Sequence, residues 1–138
     1  MARIIFENPS ITIFYYEDKD YLFIKWHGFT QSEPFRNAAT QILKTIEITK
    51  TTSILSDNTN SKVISPNDHG WAAFNWFPQA EAKGIKMLAT VLSADYFNRA
   101  SEKVIEDMAE IKYMKIKNFS SVDEASKWLQ ESKKLQDY

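Results

Sequence analysis

A chain of 138 residues with no cysteine is long enough to bury one core, and it has no disulfide, thiolate or Cys-ligated zinc to draw on. A formal net charge of −1 leaves no surplus of Lys and Arg to displace counterions from phosphates, which argues against non-specific nucleic-acid binding. The composition, 43% hydrophobic and 25% charged, is that of a globular protein.

The opening MARIIFENPS has too short an apolar patch for a signal peptide, and no window approaches a membrane span, so the expectation is one cytoplasmic domain over residues 1–138. Residues 11–16, ITIFYY, are β-branched and aromatic, and the polar EDKD separates them from YLFIKWHG, where Leu22, Ile24 and Trp26 alternate with Tyr21, Phe23 and Lys25. Two such runs predict an antiparallel hairpin. Asn8-Pro9 marks the break before it, and whether Ile4–Phe6 add a strand is left open. Thr30-Gln-Ser-Glu33 reads as a capping box, and Phe35, Ala38, Ala39, Ile42 and Ile46 form the apolar stripe of a helix over 32–48.

Thr51–Leu55 suits a short buried strand. After a polar loop, Ser65-Pro66-Asn67-Asp68 supplies a helix start: a Ser N-cap, Pro in the first turn and an acidic residue near the positive end of the dipole. Pro78 is expected to interrupt or kink that helix and Gly84 to close it. Residues 85–92, IKMLATVL, read as a strand covered on both faces. A further helix carries Phe97, Ala100, Val104, Met108 and Ile111. Tyr113–Phe119 alternates as a strand, and Ser121-Val-Asp-Glu124 opens a last helix bearing Ala125, Trp128 and Leu129. The order ββαβαβαβα predicts an α/β fold with a mixed, mostly parallel sheet.

This order resembles that of the STAS domains, in particular small bacterial proteins similar to the sporulation anti-sigma factor antagonist. The residues that carry the resemblance are Trp26-His-Gly28, Glu33-Pro-Phe-Arg36, Asp57, Trp71, Trp76-Phe-Pro78, Gly84, Ala125 and Trp128-Leu129, over about residues 10–132. The resemblance implies a non-enzymatic regulatory module with a protein partner or a second copy of the chain, and no cofactor. It also implies a phosphoacceptor at the start of the helix after the third strand, where a partner kinase adds charge. Here that place reads Ile64-Ser65-Pro66-Asn67-Asp68, so Ser65 is the candidate, although no glycine follows before Gly70.

Catalytic readings are thin. Ser65, His69 and Asp57 or Asp68 are the types of a hydrolytic triad, but no G-x-S-x-G elbow accompanies them. His27 and His69 are the only histidines, at no metal-ligand spacing. What needs explaining is the aromatic cluster Trp71, Phe74, Trp76 and Phe77. At about 100° per residue, Trp71 and Phe74 share one flank while Trp76 points away. Either a neighbouring helix covers the second flank, or Trp76 and Phe77 belong to an exposed interaction surface. A third arrangement lines an apolar ligand pocket with Trp71, Trp76 and Phe97, as the loosely similar CRAL-TRIO lipid-binding proteins suggest.

Overall fold

The computed structural model describes residues 2–28, 32–59, 66–93 and 113–136. Six strands form one sheet in sequential order: β1 (Ala2–Glu7), β2 (Ile11–Tyr16), β3 (Tyr21–Trp26), β4 (Ser53–Asp57), β5 (Met87–Val91) and β6 (Lys115–Phe119). β1, β2 and β3 pair antiparallel, and β3 to β6 run parallel. The predicted hairpin is present in register, Ile11 opposite Trp26 and Tyr16 opposite Tyr21. Its four-residue turn closes with Asp20 at φ 52, a left-handed conformation that an Asp tolerates better than most side chains. Ile4–Phe6, left open by the sequence, belong to β1, an edge strand with a register shift between Ile4 and Phe6. That shift turns Ile5 and Phe6 toward one core and breaks the period-2 signal.

One face of the sheet is covered by α1 (Ser32–Thr49) and by a helical segment between β4 and β5. The whole expected stripe of α1, Phe35, Ala38, Ala39, Ile42 and Ile46, is buried against Ile11, Ile13, Leu22, Ile24 and Ile54. Leu43 joins it. α1 stops at Lys50, whose φ of 60 places a lysine where helices commonly carry glycine, with its amide still bonded to the Ile46 carbonyl at 2.8 Å.

The segment between β4 and β5 consists of α2 (Pro66–Trp71), a π-helical turn (Ala72–Trp76) and α3 (Phe77–Ala82). The expected interruption at Pro78 takes this form: the helix widens instead of breaking. Proline has no N–H and its ring presses on the carbonyl four residues back. In the π turn the Phe77 amide bonds the Ala72 carbonyl, and Pro78 falls in the first turn of α3, where its missing donor costs little. Gly84, at φ 108, ends α3, with the Ile85 amide reaching back to the Ala80 carbonyl at 3.1 Å.

The opposite face is covered by α4 (Val122–Gln136), whose Ala125 and Leu129 pack on Leu55, Met87, Ala89, Val91 and Phe119. β5 is buried along its whole length, as a strand covered on both sides must be. The Ser121 hydroxyl caps α4 by accepting from the Glu124 amide at 3.1 Å. The expected helix with Phe97, Ala100, Val104, Met108 and Ile111, and Thr30 and Gln31 of the first capping box, lie outside the described residues. Among the described residues, no helix is long and apolar enough to cross a membrane.

Candidate functional site

The parallel strands β3 and β4 end side by side at Trp26 and Asp57, and the N-terminal turns of α1 and α2 meet beyond them. In open α/β sheets this carboxyl end is where binding sites form. An aromatic ladder climbs from the sheet to the surface here. Trp26 stacks on Phe35 of α1 with centroids 5.5 Å apart, and Phe35 meets the edge of Trp71 of α2 at 6.1 Å. The Arg36 guanidinium lies 5.4 Å over the Trp71 ring. Consecutive residues on α1 thus do opposite jobs: Phe35 enters the core while Arg36, on the margin of the apolar stripe, covers the outermost ring.

Polar contacts hold both ends of the ladder. The Trp26 indole donates to the Ser56 hydroxyl at 3.1 Å, and Ser56 donates to the Asn58 side-chain carbonyl at 2.6 Å. At the outer end the Arg36 Nε lies 3.7 Å from Asp68 Oδ1, beyond hydrogen-bond length, and the Asp68 side chain is 1% exposed. The Arg36 side chain is 43% exposed while its Nε is buried without a hydrogen-bond partner.

Of the four rings singled out in the sequence, two are surface and two are core. Trp76 is 7% and Phe77 8% exposed, and the Trp76 indole donates to the Ala39 carbonyl at 2.8 Å. Phe74 is 51% exposed, and Trp71 is half-buried. The arrangement with the second flank covered is the one observed, and the four-ring surface is corrected to Phe74 with the accessible part of Trp71. The physical reason is the π turn. A straight α-helix sets Trp71 and Trp76 about 140° apart; closing i→i+5 bonds lowers the rotation per residue and brings Trp76 round toward α1. Trp76 also meets Phe77 edge to face at 5.2 Å, within the core cluster. Phe97, the third expected wall of that pocket, lies outside the described residues, as do Ser65 and the His69 side chain.

The carboxylates weighed for a triad have structural work. Asp57 Oδ1 accepts from the Thr59 amide at 3.1 Å and its hydroxyl at 2.7 Å, fixing the turn after β4. His27 is on the hairpin side, its Nε2 2.8 Å from the Thr12 hydroxyl. Among the described residues, no group of three His, Cys, Asp or Glu converges as a metal site would require. Sequence reasoning missed Arg36 as a site residue. It saw Asp68 as a helix-start charge and a triad candidate, and nothing local in the chain brings Asp68 to a residue on α1.

No protein-family model matches the sequence, and no curated protein matches it either. Solved structures do. A protein with a SpoIIAA-like fold from Shewanella loihica superposes with a TM-score of 0.54 at 18% identity, covering 94% of this chain and 95% of that one. An anti-sigma factor antagonist from Mycobacterium paratuberculosis gives 0.53 at 9% identity over 90% and 97% of the two chains. SpoIIAA of Bacillus in its phosphorylated form gives 0.50 at 12% identity over 87% and 99%. The chain therefore has the SpoIIAA-like, STAS-type fold.

Proposed function

We propose that this chain is a non-enzymatic, cytoplasmic interaction module acting as one regulatory domain, and that its docking face is the outer side of α2 and the π turn with the adjoining flank of α1. The observation that carries the reading is the exposed Phe74 on a segment whose Ala73, Trp76 and Phe77 are buried. Its helix is pinned to α1 by the Trp76 hydrogen bond, so the ring is offered on a rigid support. A rigid aromatic anchor loses little entropy on docking, and such side chains concentrate binding energy. The anti-sigma antagonist among the solved structures of this fold supports a protein partner. Within this reading Ser65 is the phosphoacceptor candidate, on its place in the sequence just before Pro66.

Affinity capture from the producing cells with wild type and Phe74→Ala, read by quantitative mass spectrometry, tests the docking face. A protein enriched on the wild type and lost on Phe74→Ala is expected. Identical profiles would remove the face from consideration. Sedimentation velocity on the same pair of proteins asks whether the partner is a second copy: self-association lost in Phe74→Ala makes it so.

A further inference from the structure

Among the described residues the sheet ends at β1 on one side and β6 on the other. An unpaired strand offers its backbone donors and acceptors to any other chain. On β6 the Lys115 amide bonds the Lys86 carbonyl at 2.8 Å, and the Phe119 carbonyl accepts from the Leu92 amide at 2.9 Å. Lys115, Lys117 and Phe119 therefore turn their backbone groups toward β5, and those of Ile116 and Asn118 face outward. Side chains alternate as well, between the two faces of the sheet. Lys117 stands beside Ala89 of the cluster under α4 and holds its ammonium 5.5 Å over the Phe119 ring, so Lys115 and Lys117 share the α4 face. Both are exposed, and among the described residues neither is in an ion pair. Glu81 is bonded to the Tyr113 and Met114 amides at the start of β6, and Glu124 opens α4 past its end; neither carboxylate pairs with these lysines.

We propose that Lys115 and Lys117 keep a second copy of the chain from extending the sheet at β6. Two copies of this strand pair antiparallel about a two-fold axis where their outward residues exchange hydrogen bonds. With Ile116 opposite its own counterpart, each Lys115 faces Lys117 of the other copy. With Ile116 opposite Asn118, Lys117 faces its own counterpart. Opposed side chains lie on one face with Cβ atoms about 4.5–5.5 Å apart, where like charges repel. With Asn118 opposite its counterpart, Ile116 meets Ser120, beyond the end of β6, and the ladder shrinks to the bonds about Asn118. Every pairing of Ile116 within β6 thus sets lysine against lysine. The remaining joint, β6 against β1 of the next copy, would build an open filament, and the register shift between Ile4 and Phe6 interrupts that edge.

Reversing one charge inverts the sign of the contact. In Lys115→Glu the register centred on Ile116 sets the new carboxylate against Lys117 of the other copy, and the two-fold axis makes this happen twice. Lys117→Glu does the same against Lys115 and serves as the second variant, and reversing both lysines restores like charges. Amide spectra of isotope-labelled full-length protein, recorded from about 50 micromolar to about 1 millimolar, follow association. Each single variant should shift its Ile116 and Asn118 amides with concentration and associate about tenfold or more tightly than the wild type. Raised salt should weaken that association, and the double reversal should behave as the wild type does. Single variants that both stay monomeric, or that associate with the Ile116 and Asn118 amides unmoved, overturn the proposal. So does a double reversal that associates as strongly as the single ones, which would make loss of lysine and not its register the cause. A wild type that itself pairs through these two amides overturns it outright.

Discussion

Trp76 and Phe74 stand two residues apart, and the structure assigns them opposite energetic roles. Fully burying a Trp removes about 150–250 Å² from water, which at about 25 cal/mol per Å² is about 4–6 kcal/mol of transfer free energy. Trp76→Ala leaves a small side chain where that ring was, and large aromatic truncations in cores cost about 3–5 kcal/mol. The lost indole hydrogen bond adds little, because the Ala39 carbonyl lies inside α1 and keeps a backbone donor. Phe74 buries only about half of its surface, on the outer side, and its loss leaves no enclosed cavity, so Phe74→Ala should cost about 1–2 kcal/mol. Urea unfolding followed by circular dichroism measures both. Trp76→Ala should move the midpoint far down at constant slope, and Phe74→Ala should move it less than half as far. Trp76→Phe is the intermediate case, since it refills most of the volume and should cost about 1–2 kcal/mol. Comparable losses for Trp76→Ala and Phe74→Ala would refute the assignment of the rings, and with it the π turn as the device that separates them.

Lys50→Gly relieves a left-handed lysine at the end of α1 and should raise the urea midpoint by the equivalent of about 0.5–1 kcal/mol. Glu81 accepts from the Tyr113 amide at 2.6 Å and the Met114 amide at 2.7 Å with one carboxylate oxygen, tying α3 to the start of β6. Glu81→Ala should cost about 1–2 kcal/mol by the same assay, with Glu81→Gln losing less because it keeps an acceptor there. The Tyr15 phenol is held above its ordinary value by burial first, then by its hydrogen bond to Asp20 and by that carboxylate's charge. Stability tied to this group is intact below the unfolded tyrosine value of about 10 and is lost as pH climbs through the higher folded one. Stability curves at alkaline pH should show this decline and Tyr15→Phe should remove it. Trp26→Phe keeps the stack on Phe35 and gives up the bond to Ser56, for about 1 kcal/mol and no change in partner capture. Trp26→Leu removes the ladder's base and should weaken capture as well, whereas unaltered capture would confine the ladder to core packing.

The fold was legible wherever one element states its own period. The hairpin, the α1 stripe and α4 each carry an alternation or a three-and-four spacing, β5 a continuous apolar run, and each is present. β1 was ambiguous because its bulge sends Ile5 and Phe6 to the same core cluster, which cancels the alternation within a six-residue strand. At Pro78 the sequence revealed a disturbance and not its form. A kink and a π turn both accommodate a missing donor, and the choice between them depends on Trp76 finding cover on α1, a contact between residues 37 positions apart.

The same limit explains why the aromatic cluster was visible and the site was not. Trp71, Phe74, Trp76 and Phe77 crowd together in the chain, so any reading of local composition treats them as one feature. Folding divides them according to what lies across the helix, and α1 decides the division twice. Its inner face offers the Ala39 carbonyl and takes Trp76 inward; its margin carries Arg36 over Trp71 and leaves that ring at the surface. The small residues Ala38 and Ala39 let α2 and the π turn approach closely enough for both contacts, and neither alanine could be recognised as a site determinant from the chain alone. What distinguishes the proposed docking face from the core is thus which side of one helix each ring meets. A substitution on α1, at a residue that touches no partner, should change recognition as surely as one at Phe74.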